Sequence, residues 1–567
     1  MKNRVVILNI VVFLGFGIVF FRLVDIMIFK HELYSSRVRM QTTAKEEIQV
    51  RRGVIFDRNG KRLAGNLEYN SIYCNKKMLN RNRNNIKVIS KIIDLKYIKL
   101  VSMLQHKTNY ILLKRNVPDH VLERLINYNT LAFEAHPEAK RYYAGGDFAS
   151  HVIGFVDIDN NGREGLEAVY NKFLMNTGGT INVNRDARGN RFYDESRQER
   201  IGNDLMLTID QTLQYIVETE MDKTMDKWKA KAATVIMMEP HTGEIMAMAN
   251  RPSFNPNSPG DYNSDSRRNR SIADIYEPGS TFKIVTASGV LEEHLLRKNE
   301  IFDVSAGSIM VGGKKIKDDH RHDRLTFSEI IEKSSNVGTI MLAQRLGKQR
   351  VYNYMKKFGF GQKTGIDLFG EIRGLVTAPE HWSGVSIGSM PIGQEVGVTP
   401  IQMAAAYSII ANGGYKVIPH IVKTIISPEG KTYDMNRFTL GEQILSTNTV
   451  ETLTDALIKV TSSEGTAKDA SVIGNQVAGK TGTAQIFDQQ LGKYSANDYV
   501  SSFVGFVPAK NPAFVLIVVV WKPKGVHYGG VVAAPAFREI AEKSLTYLNI
   551  PRENVEQKNL VLVSKVD

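Results

Sequence analysis

The chain has 567 residues, a length that predicts two or three domains rather than a single core. Hydrophobic residues make up 43% and charged residues 23%, the balance of an ordinary globular protein. The formal net charge is +14, yet lysines and arginines form no long block that would act as a nucleic-acid-binding arm. Cys74 is the only cysteine, which excludes a disulfide framework and a cysteine-rich metal site.

The N-terminal segment is apolar and follows two basic residues. Lys2 and Arg4 precede an uncharged run over residues 5–21, and no small-x-small cleavage site follows that run. Such a run is close to the shortest that spans a bilayer, and Arg22 can extend it by snorkelling. We therefore predict a transmembrane anchor within residues 1–30, with a removable signal peptide or a buried helix as alternatives. The basic residues predict a cytoplasmic N-terminus and an external remainder.

The rest of the chain alternates strand and helix patterns. Residues 51–64 predict a hairpin whose turn is Asn59–Gly60. Residues 232–249 and 501–523 each predict a pair of apolar strands around a short turn. Residues 396–414 predict a helix that ends at a glycine pair.

One octet matches a nucleotide-binding motif. Residues 474–481, GNQVAGKT, fit the phosphate-loop pattern G-x-x-x-x-G-K-[ST]. A phosphate loop must lead into a helix, whereas Gly482 and the β-branched Thr483 favour a strand. Nucleotide is also scarce outside the membrane. We therefore predict a strand here, and a role for Lys480 other than phosphate binding.

A serine and a lysine with helical spacing form a candidate nucleophile pair. Pro278 and Gly279 break the chain before Ser280, and the apolar residues that follow are compatible with a helix. Lys283 would then lie one turn after Ser280 on the same face. A serine hydroxyl needs a nearby base, and a lysine can serve when burial or a neighbouring cation lowers its pKa.

Two further motifs complete an ordered set. Ser334 and Asn336 follow a predicted helix over residues 326–333, and their hydroxyl and amide could move a proton and hold a substrate amide. Lys480 begins the third motif, K-T-G. Each motif alone is common, but the order S-x-x-K, S-x-N, K-T-G is specific for β-lactamases and penicillin-binding proteins.

The chain resembles a class B penicillin-binding protein, a monofunctional peptidoglycan D,D-transpeptidase, and is most like the division (FtsI) type. The glutamate in YEPGSTFK is typical of the division and sporulation branches. Ala144 stands where a proline is usual. Segments that resemble other family motifs are RRGVIFDRNGKRLA (51–64), RYYAGGDFASHVIGFV (141–156), GREGLEAVYNKFL (162–174), RDARGN (185–190) and NDLMLTIDQTLQ (203–214).

This resemblance implies an α+β protein in which an N-terminal transmembrane helix precedes an elongated pedestal domain. A penicilloyl serine transferase domain follows, with an antiparallel sheet against a helical cluster. The expected boundaries are residues 1–30 for the cytoplasmic tip and anchor, 31–203 for the pedestal, 204–550 for the transpeptidase domain and 551–567 for a polar tail.

The resemblance also implies a role for each residue of the motifs. Ser280 would attack the carbonyl between the last two D-alanines of a stem peptide, and Lys283 would accept its proton. Ser334 and Asn336 would relay that proton to the leaving D-alanine and orient the peptide. Lys480 would hold the hydroxyl network in place, and its charge would help to keep Lys283 neutral.

The residues after Lys480 would bind the substrate. Thr481 and Gly482 would lie on an edge strand beside the extended peptide. The backbone N–H groups of Ser280 and Thr483 would form the oxyanion hole, in which each donor is worth about 3–4 kcal/mol. We expect no metal and no cofactor in this chemistry, and neither nucleotide nor nucleic acid as a partner.

The expected partners are stem peptides, as D-Ala-D-Ala donor and amine acceptor, together with β-lactam antibiotics. A SEDS-type membrane glycan polymerase and other division proteins would bind the anchor and pedestal. The expected location is the bacterial inner membrane, crossed once, with the catalytic domain outside. Alternatives are an elongation- or sporulation-type transpeptidase, a carboxypeptidase side activity, and a catalytically silent β-lactam-binding scaffold or sensor.

Overall fold

The computed structural model describes residues 2–47, 51–79, 82–128, 132–175, 180–185, 191–192, 201–435, 441–488 and 492–553. The chain divides into two compact units. The first unit consists of Met1–Arg52 and Met175–Gly202, and the second consists of Gly53–Leu174 and Asn203–Asp567. The domain boundaries expected at residues 30, 203 and 550 stay predictions. Residues 186–190 of the family-like segment RDARGN and residues 554–567 of the expected tail lie outside the described residues.

The strands are numbered along the chain. They are β1 Thr43–Glu47, β2 Ile55–Phe56, β3 Arg62–Asn75, β4 Tyr110–Val117, β5 Phe133–Tyr143, β6 Thr180–Arg185, β7 Arg191–Phe192, β8 Asp204–Leu207, β9 Ala232–Met238, β10 Ile245–Arg251, β11 Ile301–Asp303, β12 Ser308–Val311, β13 Lys314–Lys317, β14 Arg324–Thr326, β15 Val422–Ile426, β16 Thr432–Asp434, β17 Ala478–Asp488, β18 Lys493–Val507 and β19 Phe514–Trp521.

The α-helices are numbered in the same way. They are α1 Lys2–Val24, α2 His31–Thr42, α3 Arg83–Ile92, α4 Tyr97–Leu104, α5 Asp119–Tyr128, α6 Ser150–Ile153, α7 Gly165–Val169, α8 Asn171–Met175, α9 Gln211–Trp228, α10 Ser264–Arg267, α11 Arg270–Ala273, α12 Lys283–Glu292, α13 Phe327–Glu332, α14 Asn336–Leu346, α15 Lys348–Lys357, α16 Ser386–Ser389, α17 Pro400–Ala411, α18 Thr447–Val460, α19 Gly529–Val532 and α20 Ala534–Tyr547.

The first unit contains the N-terminal helix. Helix α1 continues through the π-helical turn Asp25–Phe29, and the apolar stretch Asn3–Phe29 has a mean hydropathy of 2.5 with none of it buried. Among the described residues, this is the one helix long and apolar enough to cross a membrane. Asp25 pairs with Arg22 at 2.8 Å and with Lys30 at 2.7 Å, which offsets the charge near the end of the stretch. The strands of this unit form a small antiparallel sheet in the order β1-β6-β7.

The second unit begins with a mixed sheet in the order β16-β15-β8-β2-β3-β4, and β5 also pairs with β3, over residues 64–74 of that strand. The hairpin predicted at Asn59–Gly60 is confirmed, because β2 and β3 pair antiparallel on either side of it. Helices α3, α4 and α5 bury a separate apolar core against β3, β4 and β5, which includes Ile72, Leu100 and Leu125. This sheet joins the segment before residue 175 to the segment after residue 203.

An antiparallel sheet in the order β10-β9-β19-β18-β17 is the centre of the second unit. Both predicted strand pairs are confirmed, since β9 pairs with β10 and β18 with β19. Strands β9 and β19 also pair with each other, so that the two hairpins form one sheet. The strand predicted after the octet is confirmed as β17, and it occupies the edge, as the family resemblance implies for Thr481 and Gly482.

Helices cover both faces of this sheet. Every residue of β9 is therefore buried, on whichever face its side chain lies. Helices α9 and α20 pack on each other and on the sheet, and α17 packs on β9, β18 and β19. The predicted helix within residues 396–414 is confirmed as α17, which a Thr399–Gln402 capping box begins. Helix α12 packs against α14, α15 and α18, which places its first turn inside the helical cluster.

One buried ion pair lies where the second unit's two sequence segments are joined. The side chains of Arg141 and Glu167 are 1% and 0% exposed, and Arg141 Nε donates to Glu167 Oε1 at 2.7 Å. Arg141 Nη1 also donates to the carbonyl oxygen of Gly53 at 2.6 Å. The tyrosine hydroxyl of Tyr143 donates to the same glutamate oxygen at 3.3 Å. Several partners therefore depend on one guanidinium.

We expect Arg141→Ala to destabilise the protein by about 3–5 kcal/mol, because it removes one member of a buried, hydrogen-bonded ion pair. The measurement is the thermal unfolding midpoint of the detergent-solubilised chain. Arg163→Ala is the matched control, since Arg163 pairs with Asp157 while its own side chain is 60% exposed. That control should cost less than about 1 kcal/mol. Equal midpoints for the two variants would contradict the expectation.

Candidate active site

Ser280 lies in a tight turn that leads into a buried helix. Gly279–Phe282 form a 3-10 turn, and α12 begins at Lys283. The predicted helical N-terminus is therefore confirmed, with its first turn narrower than an α-turn. The hydroxyl of Thr281 donates to the carbonyl oxygen of Pro278 at 2.8 Å, and Gly279 N donates to the carbonyl oxygen of Gly393 at 3.1 Å. These bonds hold the half-buried Ser280 at a fixed point of the chain.

Strand β17 packs directly on this turn through backbone. A Cβ atom on Gly482 would lie 2.7 Å from the carbonyl oxygen of Pro278, and one on Gly279 would lie 2.9 Å from that of Thr483. Both distances are too short for a side chain. Gly279 also has a φ of +55°, a conformation that favours glycine. The structure thus brings the turn of Ser280 and the backbone of Thr483 into contact, as the expected oxyanion hole requires.

Thr481 and Thr483 flank Gly482 in strand β17. Thr481 is 9% exposed, within strand β17. The hydroxyl of Thr483 accepts a hydrogen bond from Gly529 N at 3.0 Å, which ties β17 to the start of α19. The open edge of β17 consists of backbone groups, which is the geometry that an extended peptide needs for pairing.

The amine of Lys283 makes contact with the S-x-N motif. Its Nζ donates to the carbonyl oxygen of Ser334 at 2.5 Å, to Ser334 Oγ at 3.3 Å and to Asn336 Oδ1 at 2.8 Å. Ser334 follows the predicted helix within residues 326–333, which is confirmed as α13 with a Thr326 capping box. Asn336 begins α14. Residues more than fifty positions apart are therefore joined at one amine.

Burial sets the protonation of this amine. Lys283 is 1% exposed, and loss of solvation lowers its pKa to about 7. The negative charges of Asp318 and Asp319 act in the opposite direction and raise that pKa. A free lysine has a pKa near 10.4, so it would be almost wholly protonated at neutral pH. With a pKa of about 7, a substantial fraction of Lys283 is instead neutral at neutral pH, as a general base requires.

Lys480 is fully buried in strand β17, beside Lys283. Burial and then the charge of Lys283 lower the pKa of Lys480. Its Nζ makes no hydrogen bond to any residue that the structure describes, so the expected contact with the hydroxyl network is not observed there. Of the two causes that the sequence suggests for a low pKa of Lys283, burial is the larger one in the structure.

The phosphate-loop alternative fails on local geometry. Residues 478–481 are part of strand β17, which continues to Asp488 without a helix. A phosphate loop presents backbone amides at a helix N-terminus, and β17 has none. Separately, the described part of the chain contains no group of three or more His, Cys, Asp or Glu side chains that could hold a metal ion.

Sequence reasoning missed Asp318. Its carboxylate accepts hydrogen bonds from the S-x-N turn, although the two lie in separate elements. Residues 317–323, KDDHRHD, have the composition of a solvated loop, and their spacing to the motifs carries no signal. Strand β13 packs against α14, which brings this loop to the turn, and local sequence signals do not report that packing.

Comparisons with known proteins identify two domains in the chain. A family model described as the penicillin binding protein transpeptidase domain matches residues 233–542, and one described as the penicillin-binding protein dimerisation domain matches residues 47–207. Stage V sporulation protein D of Bacillus subtilis is 34% identical over 96% of this chain and 86% of its own length. Peptidoglycan D,D-transpeptidase FtsI of Escherichia coli is 29% identical over 90% and 86%.

Solved structures give the same result. Penicillin-binding protein 3 of Mycobacterium tuberculosis, in complex with ampicillin, superposes with a TM-score of 0.70 at 29% identity, covering 91% of this chain and 99% of that one. A transpeptidase domain behind a dimerisation domain defines a penicillin-binding protein with serine D,D-transpeptidase chemistry. The chain belongs to the class B penicillin-binding proteins.

We expect the rate of acylation by penicillin to rise with pH through the pKa of Lys283, about 7, and to level off above it. Only the neutral amine can take the proton of Ser280, so the rate should fall about tenfold for each pH unit below the midpoint. Stopped-time labelling with a fluorescent penicillin measures the profile. Lys283→Arg stays charged throughout and should abolish acylation at every pH. A flat profile in the unmodified protein would exclude Lys283 as the base.

Proposed function

We propose that the protein cross-links peptidoglycan stem peptides through an acyl-enzyme on Ser280, in the wall made at the septum. The observation that carries the proposal is the amine of Lys283. It is buried, has a pKa near neutrality, and contacts Ser334 and Asn336 within one turn of a half-buried serine. Ordinary core lysines are rarely buried without a carboxylate partner, so this arrangement favours catalysis over a packing role.

The first step would transfer an acyl group to the enzyme. Ser280 Oγ attacks the carbonyl carbon between the two D-alanines of the donor, while Lys283 takes the hydroxyl proton. The carbonyl oxygen becomes negative and accepts hydrogen bonds from the backbone N–H groups of Ser280 and Thr483. The C–N bond then breaks. The departing D-alanine takes a proton, which Lys283 returns through the hydroxyl of Ser334.

The second step would form the cross-link. An amine of a neighbouring stem peptide attacks the ester carbonyl and loses a proton to the same basic network. The C–O bond to Ser280 breaks, and the oxygen regains its proton. The donor's carboxylate would favour the protonated form of Lys480, against the burial that lowers its pKa, and the two would then pair before the first step. Thr481 and Gly482 align the donor along β17 by backbone pairing.

A β-lactam would react at the same serine, because its strained amide takes the place of the donor amide. The ampicillin complex of penicillin-binding protein 3 from Mycobacterium tuberculosis supports this expectation for a related fold. We therefore expect a fluorescent penicillin to label the protein covalently, and Ser280→Ala to abolish labelling without unfolding the chain. Mass spectrometry of the labelled protein should find the adduct on Ser280.

Two observations check the labelling experiment. Ser102→Ala changes an exposed serine of α4, within the residues that match the dimerisation-domain model, and should label like the unmodified protein. The thermal midpoint of Ser280→Ala should match that of the unmodified chain, which separates lost chemistry from lost folding. An adduct on a different residue would refute the assignment of Ser280.

The septal role is the finer part of the proposal. Glu277, in YEPGSTFK, supports the division or sporulation branches over the elongation branch. A sporulation role has its own support in the 34% identity to stage V sporulation protein D. Lys2 and Arg4 favour an N-terminus in the cytoplasm, which protease treatment of spheroplasts would test. A SEDS-type glycan polymerase in the same membrane is the partner that this role implies.

Depletion of the protein in its source organism distinguishes these roles. A septal enzyme should leave cells that elongate without dividing, because glycan at the septum stays uncross-linked. Filamentation within a few generations is the expected result, measured by microscopy with a fluorescent wall label. Normal division combined with a block in spore formation would assign the protein to sporulation instead. Rounded cells would assign it to elongation.

A further inference from the structure

Asp318 lies directly after strand β13 and contacts the turn that carries the S-x-N motif. One oxygen, Oδ1, accepts the backbone N–H groups of Asn336 and of Val337, the latter at 3.0 Å. The other oxygen, Oδ2, accepts the hydroxyl of Ser335 at 2.8 Å. A single carboxylate therefore binds consecutive residues at the start of α14.

The same loop fixes the side-chain amide of Asn336. Asn336 Nδ2 donates to the carbonyl oxygen of Lys317 at 2.9 Å. Because the amide nitrogen is used in this bond, Oδ1 faces the other way and accepts the amine of Lys283 at 2.8 Å. The orientation of Asn336 at the catalytic amine is thus decided by the chain segment next to Asp318.

The turn has a backbone conformation that needs support. Ser334 has a φ of +58°, a left-handed value that is uncommon for a residue with a side chain. In this conformation its carbonyl oxygen accepts the amine of Lys283 at 2.5 Å. Such residues persist where the surrounding structure holds them, and the bonds of Asp318 lie immediately after Ser334 in the chain.

Charge provides a second effect on the same amine. The charged groups that face Lys283 are Lys480 on β17 and the adjacent carboxylates of Asp318 and Asp319. Both carboxylates raise the pKa of Lys283, against the effect of burial. Asp319 is exposed, and among the described residues it makes no hydrogen bond to the S-x-N turn. The two aspartates thus share a charge effect but differ in contacts.

We propose that Asp318 is a positioning residue of the acylation reaction, whose carboxylate holds the turn of Ser334 and Asn336 so that their oxygens receive the amine of Lys283. This inference rests on the proposed function. Asp318 does not touch the substrate, and its effect passes through the turn. A residue that only capped α14 would stabilise the fold without changing the reaction of a folded enzyme.

The test measures penicillin acylation rates of the full chain across the pH range, for single substitutions at the two aspartates. Asp318→Ala should lower the plateau rate at high pH by about 10- to 100-fold, because the oxygens around Lys283 lose their fixed positions. Asp318→Asn keeps an acceptor oxygen for the backbone N–H groups and should recover part of that rate. Both variants should shift the midpoint to lower pH, since a charge that favours the ammonium is removed.

Asp319→Ala is the matched control, because it removes the same charge from the next residue. It should shift the midpoint in the same direction and leave the plateau rate unchanged. Thermal midpoints identify any variant that fails to fold. If Asp318→Ala fails to fold, Asp318→Asn provides the test instead. Unchanged plateau rates in folded Asp318 variants, or an equal loss in Asp319→Ala, would overturn the inference. An unmodified protein that forms no adduct would overturn the proposed function, and this inference with it.

Discussion

The burial of one amine is the constraint on which the active site depends. Lys283 has almost no contact with solvent, yet it has to lie within reach of a hydroxyl that a substrate can approach. A buried ammonium is costly unless oxygen atoms surround it, and the protein supplies the oxygens of Ser334 and Asn336. The cost that remains lowers the pKa of the amine to about 7, so that part of it is neutral and can take a proton.

That constraint explains where the surrounding elements lie. Helix α12 is buried along Lys283–Val290, and in the turn before it Ser280 is partly exposed while Gly279, Thr281 and Phe282 are buried. Helix α14 and strand β17 supply the other groups from distant parts of the chain. Their positions depend on a close-packed core around the antiparallel sheet, because a shift of an ångström at the amine would break its contacts.

Much of this architecture is legible in the sequence. The ordered motifs place Ser280, Lys283 and Asn336 in one site, and turn residues such as Asn59–Gly60 locate the hairpins. Local sequence reports on helices, strands and turns, because their signals lie within a few residues. Asp318 was out of reach, since its function depends on a contact with residues seventeen and more positions away. The surroundings of Lys480, whose Nζ makes no hydrogen bond to any described residue, were missed for the same reason, because they come from several elements.

The packing of β17 on the serine turn also limits how the site can change under antibiotic selection. Where Gly482 meets Pro278 and Gly279 meets Thr483, the contact is backbone against backbone, and no substitution adds a side chain without moving the strand. The recognition surface is therefore presented by atoms that every amino acid shares. A substitution changes side-chain atoms and leaves these backbone atoms in place. Variants that discriminate between a drug and a stem peptide would have to arise in the residues that support this contact, at one remove from the reacting atoms.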